Sequence, residues 1–432
     1  MSSASTPTVP RREVIKVTLA SLIGTTLEFY DFLLYGYVAS VFAVLFFPSK
    51  DPLASLLAVF ATFAVGYLFR PVGAIVFGHI GDKVGRKRAL MMTLFLMGLA
   101  SFLTALLPTY AQIGILAPTI LVILRLVMGF ALGGEFGGGL TLTGEVAPKE
   151  HRAFWIGVTQ MSQGGGSLLA TGSVAILSAA MGAMGFAATG WRWLFGVGVV
   201  VALIGVAIRT GISESPLFQK EKAAAEVAKV PVFEVIKTHW KQILNSIGFS
   251  VQGTVLVYLT SVFAVSYLIT VSHVSLLTAS VITSIGLVSI IVFAPIGGLL
   301  ADKFGRRPIG IFGMAGALVF IYPYFVMLSS GVMSLMILAQ VIIFFLEAME
   351  LTIVTMLTEI FPTKVRQSGV SISYQLNTAI FGGTTPLIAT YLLAATGWKL
   401  APMIWAAIAI VVSIISLFII RETKGEDLAT AK

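Results

Sequence analysis

The sequence predicts an all-α membrane protein of about twelve transmembrane helices. These form two related six-helix bundles, with both termini in the cytoplasm. Three observations carry this prediction. The 432 residues are 57% hydrophobic and only 11% charged, against roughly 25% charge in soluble domains, so lipid must solvate much of the exterior. Apolar runs repeatedly exceed the ~20 residues a helix needs to cross a bilayer, and the alternating-polarity segments of a β-barrel are absent. Landmarks of the first half also recur, in order, in the second.

Taken along the chain, the polar stretch "MSSASTPTVPRREVIK" at 1–16 precedes a full-length span. It reads as a cytoplasmic tail before an uncleaved first helix, not as a removable signal. Spans are expected at 17–46, 53–80, 89–108, 112–144, 152–180 and 187–209, which make the first bundle, 17–212. The segment 213–238, rich in Ala, Glu and Lys, is a cytoplasmic linker with a leaning toward helix. Spans resume at 240–270, 276–301, 308–329, 332–359, 366–396 and 399–420, which make the second bundle, 239–421, before a cytoplasmic tail at 422–432.

Of the 28 Lys and Arg residues, all but Lys50, Arg70, Arg125, Arg192 and Lys399 fall at the N-terminus, in or beside even-numbered loops, or in the C-terminal tail. The positive-inside rule puts those regions in the cytoplasm. The net charge of +9 is then a topology signal, and no nucleic-acid groove is expected. With 0 cysteines, disulfide, haem-attachment and Cys-zinc chemistry are excluded.

The repeat is plainest in two loops, "FGHIGDKVGRKRAL" from Phe77 and "IGGLLADKFGRRPIG" from Ile296. Asp82 and Asp302 lie 220 residues apart, and "EVAPKEHRAFWIGV" from Glu145 matches "EIFPTKVRQSGVSI" from Glu359 at an offset of 214. "GWRW" at Gly190 echoes "GWKL" at Gly397. Such order and spacing imply a duplicated six-span unit, the parallel-repeat plan of one large class of secondary transporters. Asp82 and Asp302 can accept hydrogen bonds from the next helix's free N–H groups or pair with arginines. With Arg86 and Arg306, and with Glu145, Arg152, Glu359 and Arg366, they are candidates for a cytoplasmic gate. A topology anchor with a good cap is the plainer alternative.

The loop pattern G-x-x-x-D-x-x-G-R-K/R resembles the signature of the major facilitator superfamily. "GTTLEFYDFLLYGYVA" (24–39), "YLFRPVGAIVFGHIGDKVGRK" (67–87), "RLVMGFALGGEFGGG" (125–139), "GWRWLFGVG" (190–198), "ISESPLF" (212–218) and "SISYQLNTAIFGGTTP" (371–386) resemble its metabolite:proton symporters. Those carriers take up citrate, 2-oxoglutarate, shikimate, aromatic acids, or proline and betaine. The resemblance covers about residues 15–425 and implies that fold, one solute site between the halves, and inward transport driven by the proton gradient. "GGEFGGG" and "EVAPKEHRAF" resemble the shikimate and aromatic-acid members most.

Charged side chains at the bilayer centre cost about 2.5–3.5 kcal/mol or more each, so each needs a reason. Glu28 and Asp31, three apart, share one face of the first span. Arg70 lies 12 residues before Asp82, about 18 Å from the loop at ~1.5 Å per residue. That is too deep to snorkel, so a pair with Glu28 or Asp31 is expected. In the functional version, Arg70 is released to hold a solute carboxylate while the acid takes a proton; a purely structural bridge is the alternative. The family's "RP" motif places Arg70 in the substrate region.

Arg125, Gly129 and Gly133 line one face of the fourth span, and the stretch resembles the superfamily's proton-coupling motif. Glu135 follows on this helix, where a carboxyl suits proton exchange. Glu347 and Glu350, three apart in the tenth span, read as a second-half proton site or as partners of Arg125 across the interface. Arg192, flanked by Trp191 and Trp193, belongs to an aromatic belt; the family's "GWR" motif makes it an anion site near the outer mouth. Tyr30, Tyr35, Gln160, Gln163, Tyr374, Gln375 and Asn377 are the polar candidates for lining a solute chamber. His273 is expected in an external loop, with no role assigned.

No metal-ligand spacing, nucleotide loop or nucleophile motif is present, so neither an enzyme nor an ATP-driven pump is expected, and no cofactor. The expected partners are a small organic solute, protons and the lipid bilayer, with the chain acting as a monomer in the inner (plasma) membrane. Buried arginines favour a carboxylate solute. If the buried acids fully neutralise them, a zwitterion such as proline or betaine fits equally, and a non-transporting sensor is the third possibility.

Overall fold

The computed structural model describes residues 10–84, 86–133, 137–210, 231–362, 365–426 and 428; side chains at 78, 79, 81–90, 137, 138, 201, 202, 204–210 and 231–234 are not described. The described chain is helical throughout. Helix α1 (Arg11–Tyr37) starts inside the expected N-terminal tail, with Glu13 in its first turn, where an acid suits the helix dipole. It breaks at Val38 and continues as α2 (Ala39–Phe46). Helix α3 (Pro52–Leu68) begins on Asp51, whose carboxylate accepts from the Leu53 N–H, the expected N-cap. Pro71 lacks the N–H that would continue the ladder, and α4 (Arg70–Val84) follows after Phe69.

Helix α5 (Arg86–Leu106) and the single turn α6 (Tyr110–Ile113) lead to α7 (Leu116–Leu132) and α8 (Gly137–Val146). Helices α7 and α8 both fall on the span expected at 112–144, and residues 134–136 between them lie outside the described residues. Helix α9 (Arg152–Gly185) turns sharply at Gly182, whose φ of 67° is left-handed and suits glycine. A π-turn at Phe186–Gly190 then opens α10 (Trp191–Thr210).

In the second half, α11 (Pro231–Thr238) falls in the expected linker and α12 (Trp240–Val257) follows. A π-segment at Tyr258–Phe263 joins α12 to α13 (Ala264–Thr270). Then come α14 (Leu276–Phe304), α15 (Arg306–Leu328) and α16 (Met333–Glu350). A 3₁₀ turn leads into α17 (Val354–Glu359). Helix α18 (Arg366–Asn377) passes through a π-segment at Thr378–Gly382 to α19 (Thr385–Thr396), and α20 (Pro402–Ile419) closes the order. The break at Val38 and the π-segment from Tyr258 stand 220 residues apart, the offset of Asp82 and Asp302. The repeat therefore marks where helices are interrupted as well as where loops fall.

Among the described residues, nine helical stretches are long and apolar enough to cross a membrane. Large apolar side chains such as Val319, Ile176 and Phe95 stand exposed on the outside, as expected of a surface facing lipid. Helices α9 and α14 pack along most of their length, and α1 packs on α9. The glycine face expected on the fourth span is used for close approach: a Cβ at Gly129 would collide with the Gly66 carbonyl of α3.

Candidate functional site

Glu28, Asp31, Arg70 and Arg125 lie in the interior, all less than a tenth exposed. Arg70 sits at the α3–α4 junction, and its Nη2 meets the Glu28 carboxylate at 3.4 Å. This is the partner expected from the depth of Arg70. Among the described residues its Nε has no hydrogen-bond partner, and its guanidinium lies over Tyr67 at 5.3 Å and Phe32 at 5.8 Å. Asp31 instead accepts from the Ser101 hydroxyl of α5 at 2.7 Å.

Arg125 is caged. Its guanidinium lies 4.4 Å from the Tyr35 ring centre, 4.5 Å from Phe32 and 5.7 Å from Phe63. Its Nη2 donates to the Phe32 carbonyl at 3.3 Å. Among the described residues no carboxylate lies within 4.0 Å of it. Desolvated cation–π contacts, each worth about 2 kcal/mol or more, stabilise this buried charge. The alternative expectation that Glu347 or Glu350 pairs with Arg125 is not met in this conformation. Glu347 accepts from the Thr260 hydroxyl at 2.8 Å through one oxygen. Among the described residues the other oxygen has no hydrogen-bond partner, and neither does Oε2 of Glu350.

A contact missed in the sequence joins the two halves of the chain: the Tyr67 hydroxyl donates to Tyr258 at 2.6 Å. Tyr67 lies three residues before Arg70, on the same helical face, which was the available signal; nothing local marked Tyr258. Half-buried Tyr374 lies within electrostatic reach of Arg70, Glu28 and Tyr258. Gln375 reaches from α18 to the Gly133 carbonyl at 3.3 Å, whereas Asn377 donates to Thr254 within the second half at 2.9 Å. Tyr30 and Tyr35 donate to the carbonyls of Leu194 and Val59. Gln160 is buried and Gln163 half-buried on α9. Arg192 stands apart, stacked on Trp191 at 4.3 Å and donating to the Ala105 carbonyl at 2.6 Å. Glu135 and the side chains of Asp82 and Arg86 lie outside the described residues.

A second constellation joins the two halves beside the basic loops. Arg152 of the first half donates to Glu359 of the second at 2.8 Å, and Arg366 of the second pairs with Glu145 of the first at 3.0 Å. Because Glu145 and Glu359, and Arg152 and Arg366, are equivalents at offset 214, the repeat has exchanged its partners across the interface. Glu359 also receives Arg306 at 3.2 Å and the Thr423 hydroxyl at 2.5 Å.

Asp302 pairs with Arg306 at 3.2 Å and accepts from the N–H groups of Ala153 and Phe154 at 3.0 and 2.9 Å. It thus caps α9 in the opposite half, and not the next helix. The first N–H groups of α15 are taken by Glu422 of the tail, which the sequence did not single out.

Comparison with known proteins gives a coherent result. Residues 16–432 match the family described as sugar (and other) transporter. The shikimate transporter of Escherichia coli is 36% identical over 393 residues, 88% of this chain and 87% of that protein. The proline/betaine transporter of Salmonella typhimurium is 30% identical, covering 96% and 85%, and the citrate-proton symporter of Klebsiella pneumoniae 33%, covering 95% and 92%. The crystal structure of a D-xylose-proton symporter superposes with a TM-score of 0.73 over 96% of this chain and 99% of that one. At 19% identity that likeness shows the fold alone. The chain belongs to this transporter family, among the metabolite:proton symporters of the major facilitator superfamily. It is a multi-pass protein of the inner (plasma) membrane.

Proposed function

We propose that the protein carries a small organic carboxylate inward together with protons, by alternating access between two six-helix bundles, 17–212 and 239–421, joined by the linker 213–238. Both termini, 1–16 and 422–432, then lie in the cytoplasm. The stretch Lys149–Val200 is 52 residues long, about 78 Å at ~1.5 Å per residue. That is two crossings of a ~30 Å core, turned at Gly182. Counting it as two, and adding the shorter apolar helices Met91–Leu106 and Leu116–Leu132 among the described residues, would make twelve spans.

The observation that carries the proposal is Arg70. It is buried, held among the described residues by one long contact to Glu28, with Nε unpartnered there, beside a tyrosine pair that bridges the halves. A guanidinium with an unfilled donor suits bidentate binding of a carboxylate. Solute would displace Glu28, and the freed acid would take the proton. Tyr374 and Gln375 would complete the chamber from the second half, with Tyr30, Tyr35, Gln160, Gln163 and Asn377 as its walls and Arg192 as an outer anion site. Asp31 and Arg125, with Glu135, Glu347 and Glu350, would carry the remaining proton traffic. The shikimate and citrate relatives support a carboxylate. The proline/betaine relatives make a zwitterion the competing solute.

The test is uptake into proteoliposomes under an imposed pH gradient, offered shikimate, citrate, an aromatic acid, proline and betaine. Concentrative, gradient-driven uptake of a carboxylate is expected. Asp31→Asn should lose accumulation tenfold or more while keeping solute exchange. Uptake of betaine alone would overturn the solute class. Normal accumulation by Asp31→Asn would remove that carboxyl from the proton route.

A further inference from the structure

We propose that the groove between α15 and α16 binds one anionic phospholipid of the inner leaflet, with its phosphate at Lys303 and Arg307 and an acyl chain along α15. The groove has a volume of about 670 Å³ and is lined by Pro308, Ala315, Gly316 and Phe320 of α15 and by Ile342 and Leu346 of α16. Its α15 lining runs from Pro308 to Phe320, twelve residues or about 18 Å at ~1.5 Å each. One leaflet of a ~30 Å hydrocarbon core is about 15 Å deep. The groove therefore starts at the membrane boundary and ends near the midplane, the dimensions of an acyl chain. Small side chains make its floor: a Cβ at Gly316 would press into the Leu346 side chain, and Ala315 adds only a methyl.

The open end is basic. Pro308 directly follows Arg307, and Lys303 lies in the last turn of α14, four residues before Arg307. Lys424 joins them, donating to the Lys303 carbonyl at 2.7 Å. Among the described residues none of these three makes an ion pair. The neighbouring acids are engaged, Glu422 on the N–H groups of Arg306 and Arg307, and Asp302 on Arg306 and the start of α9. Lys303 lies over Phe304 at 5.2 Å and Arg307 over Phe418 at 5.3 Å, which leaves their outward donors for a phosphate. Basic residues at this level attract anionic headgroups, and a neutral lipid would leave them uncompensated. The leaflet assignment rests on the orientation proposed above.

The test is native mass spectrometry of the purified full chain, mixed in micelles with phosphatidylglycerol or with phosphatidylcholine of identical acyl chains. At least tenfold preferential retention of one phosphatidylglycerol is expected. Ala315→Trp, or Val319→Trp should the first not fold, both at positions that line the groove, fills it and should lose the bound lipid. Lys303→Gln with Arg307→Gln should erase the preference, and glycerol phosphate alone should not compete. Equal retention of both lipids, or retention by both groove-filling variants, would overturn the proposal. Since the chain has 0 cysteines, labelling of Lys303→Cys by an impermeant thiol reagent reports sidedness separately. Labelling from outside would refute the orientation while leaving the groove result standing.

Discussion

Replacing Arg70 by alanine is expected to abolish binding of the transported carboxylate. Truncating one partner of a buried, hydrogen-bonded charge pair costs about 2–5 kcal/mol or more, which is roughly thirtyfold to several thousandfold in affinity. The same change strands Glu28, now buried beside Arg70 at 3.4 Å, so stability falls as well. Two further variants separate function from folding. Arg70→Lys keeps the charge but loses the planar fork, and should bind at intermediate strength. Glu28→Gln removes the internal competitor for the guanidinium; it should tighten binding of an anionic solute while weakening proton-driven accumulation. Isothermal titration of the purified protein reads all three. A structural bridge alone predicts unchanged affinity in whatever fraction remains folded.

Neutralising Glu359 is expected to undo the seal on the basic-loop face. Glu359 receives Arg152, Arg306 and Thr423 at once, with its side chain fully buried. Removing one partner of a buried ion pair costs about 3–5 kcal/mol, because the remaining charges lose their compensation. If these contacts exist only in the closed arrangement, Glu359→Gln lowers its population against the open one by roughly two to three and a half orders of magnitude. Transport turnover should drop accordingly. The amides of Ala153 and Phe154, now capped by Asp302 across the interface, should exchange with deuterium far faster. The sequence-equivalent Glu145→Gln should be much milder, within about 1 kcal/mol, because the Glu145 side chain is 38% exposed. Equal effects from the two variants would show that local burial does not govern the latch.

That contrast bears on what was legible in the sequence. Composition and run length were sufficient for the helical membrane fold, because burying backbone in lipid leaves few solutions. The depth of Arg70 called for a buried acid, and Glu28 is there. The repeat marked Glu145, Arg152, Glu359 and Arg366 as a set, but their exchange between halves depends on how two bundles face each other, which no local pattern records. Asp302 likewise carries the signature of a cap without saying which helix it caps. Tyr258 and Thr423 gave no signal at all, since a tyrosine in an apolar run and a threonine in a tail are ordinary. Arg125 shows the reverse case: its burial suggested a carboxylate, and three aromatic rings take that place.

The central claim is that the two halves rock about a buried, solute-binding arginine and that the exchanged ion pairs are one end of that motion. The natural absence of cysteine permits clean labelling of two exposed positions on the latch face, Glu150 of the first half and Lys303 of the second, for pulsed electron–electron distance measurement in nanodiscs. A short separation is predicted without solute, with a second, longer population growing as a transported carboxylate is added at low pH, and locked open in Glu359→Gln. A single unchanged distance under every condition, in protein shown to transport, would contradict the account.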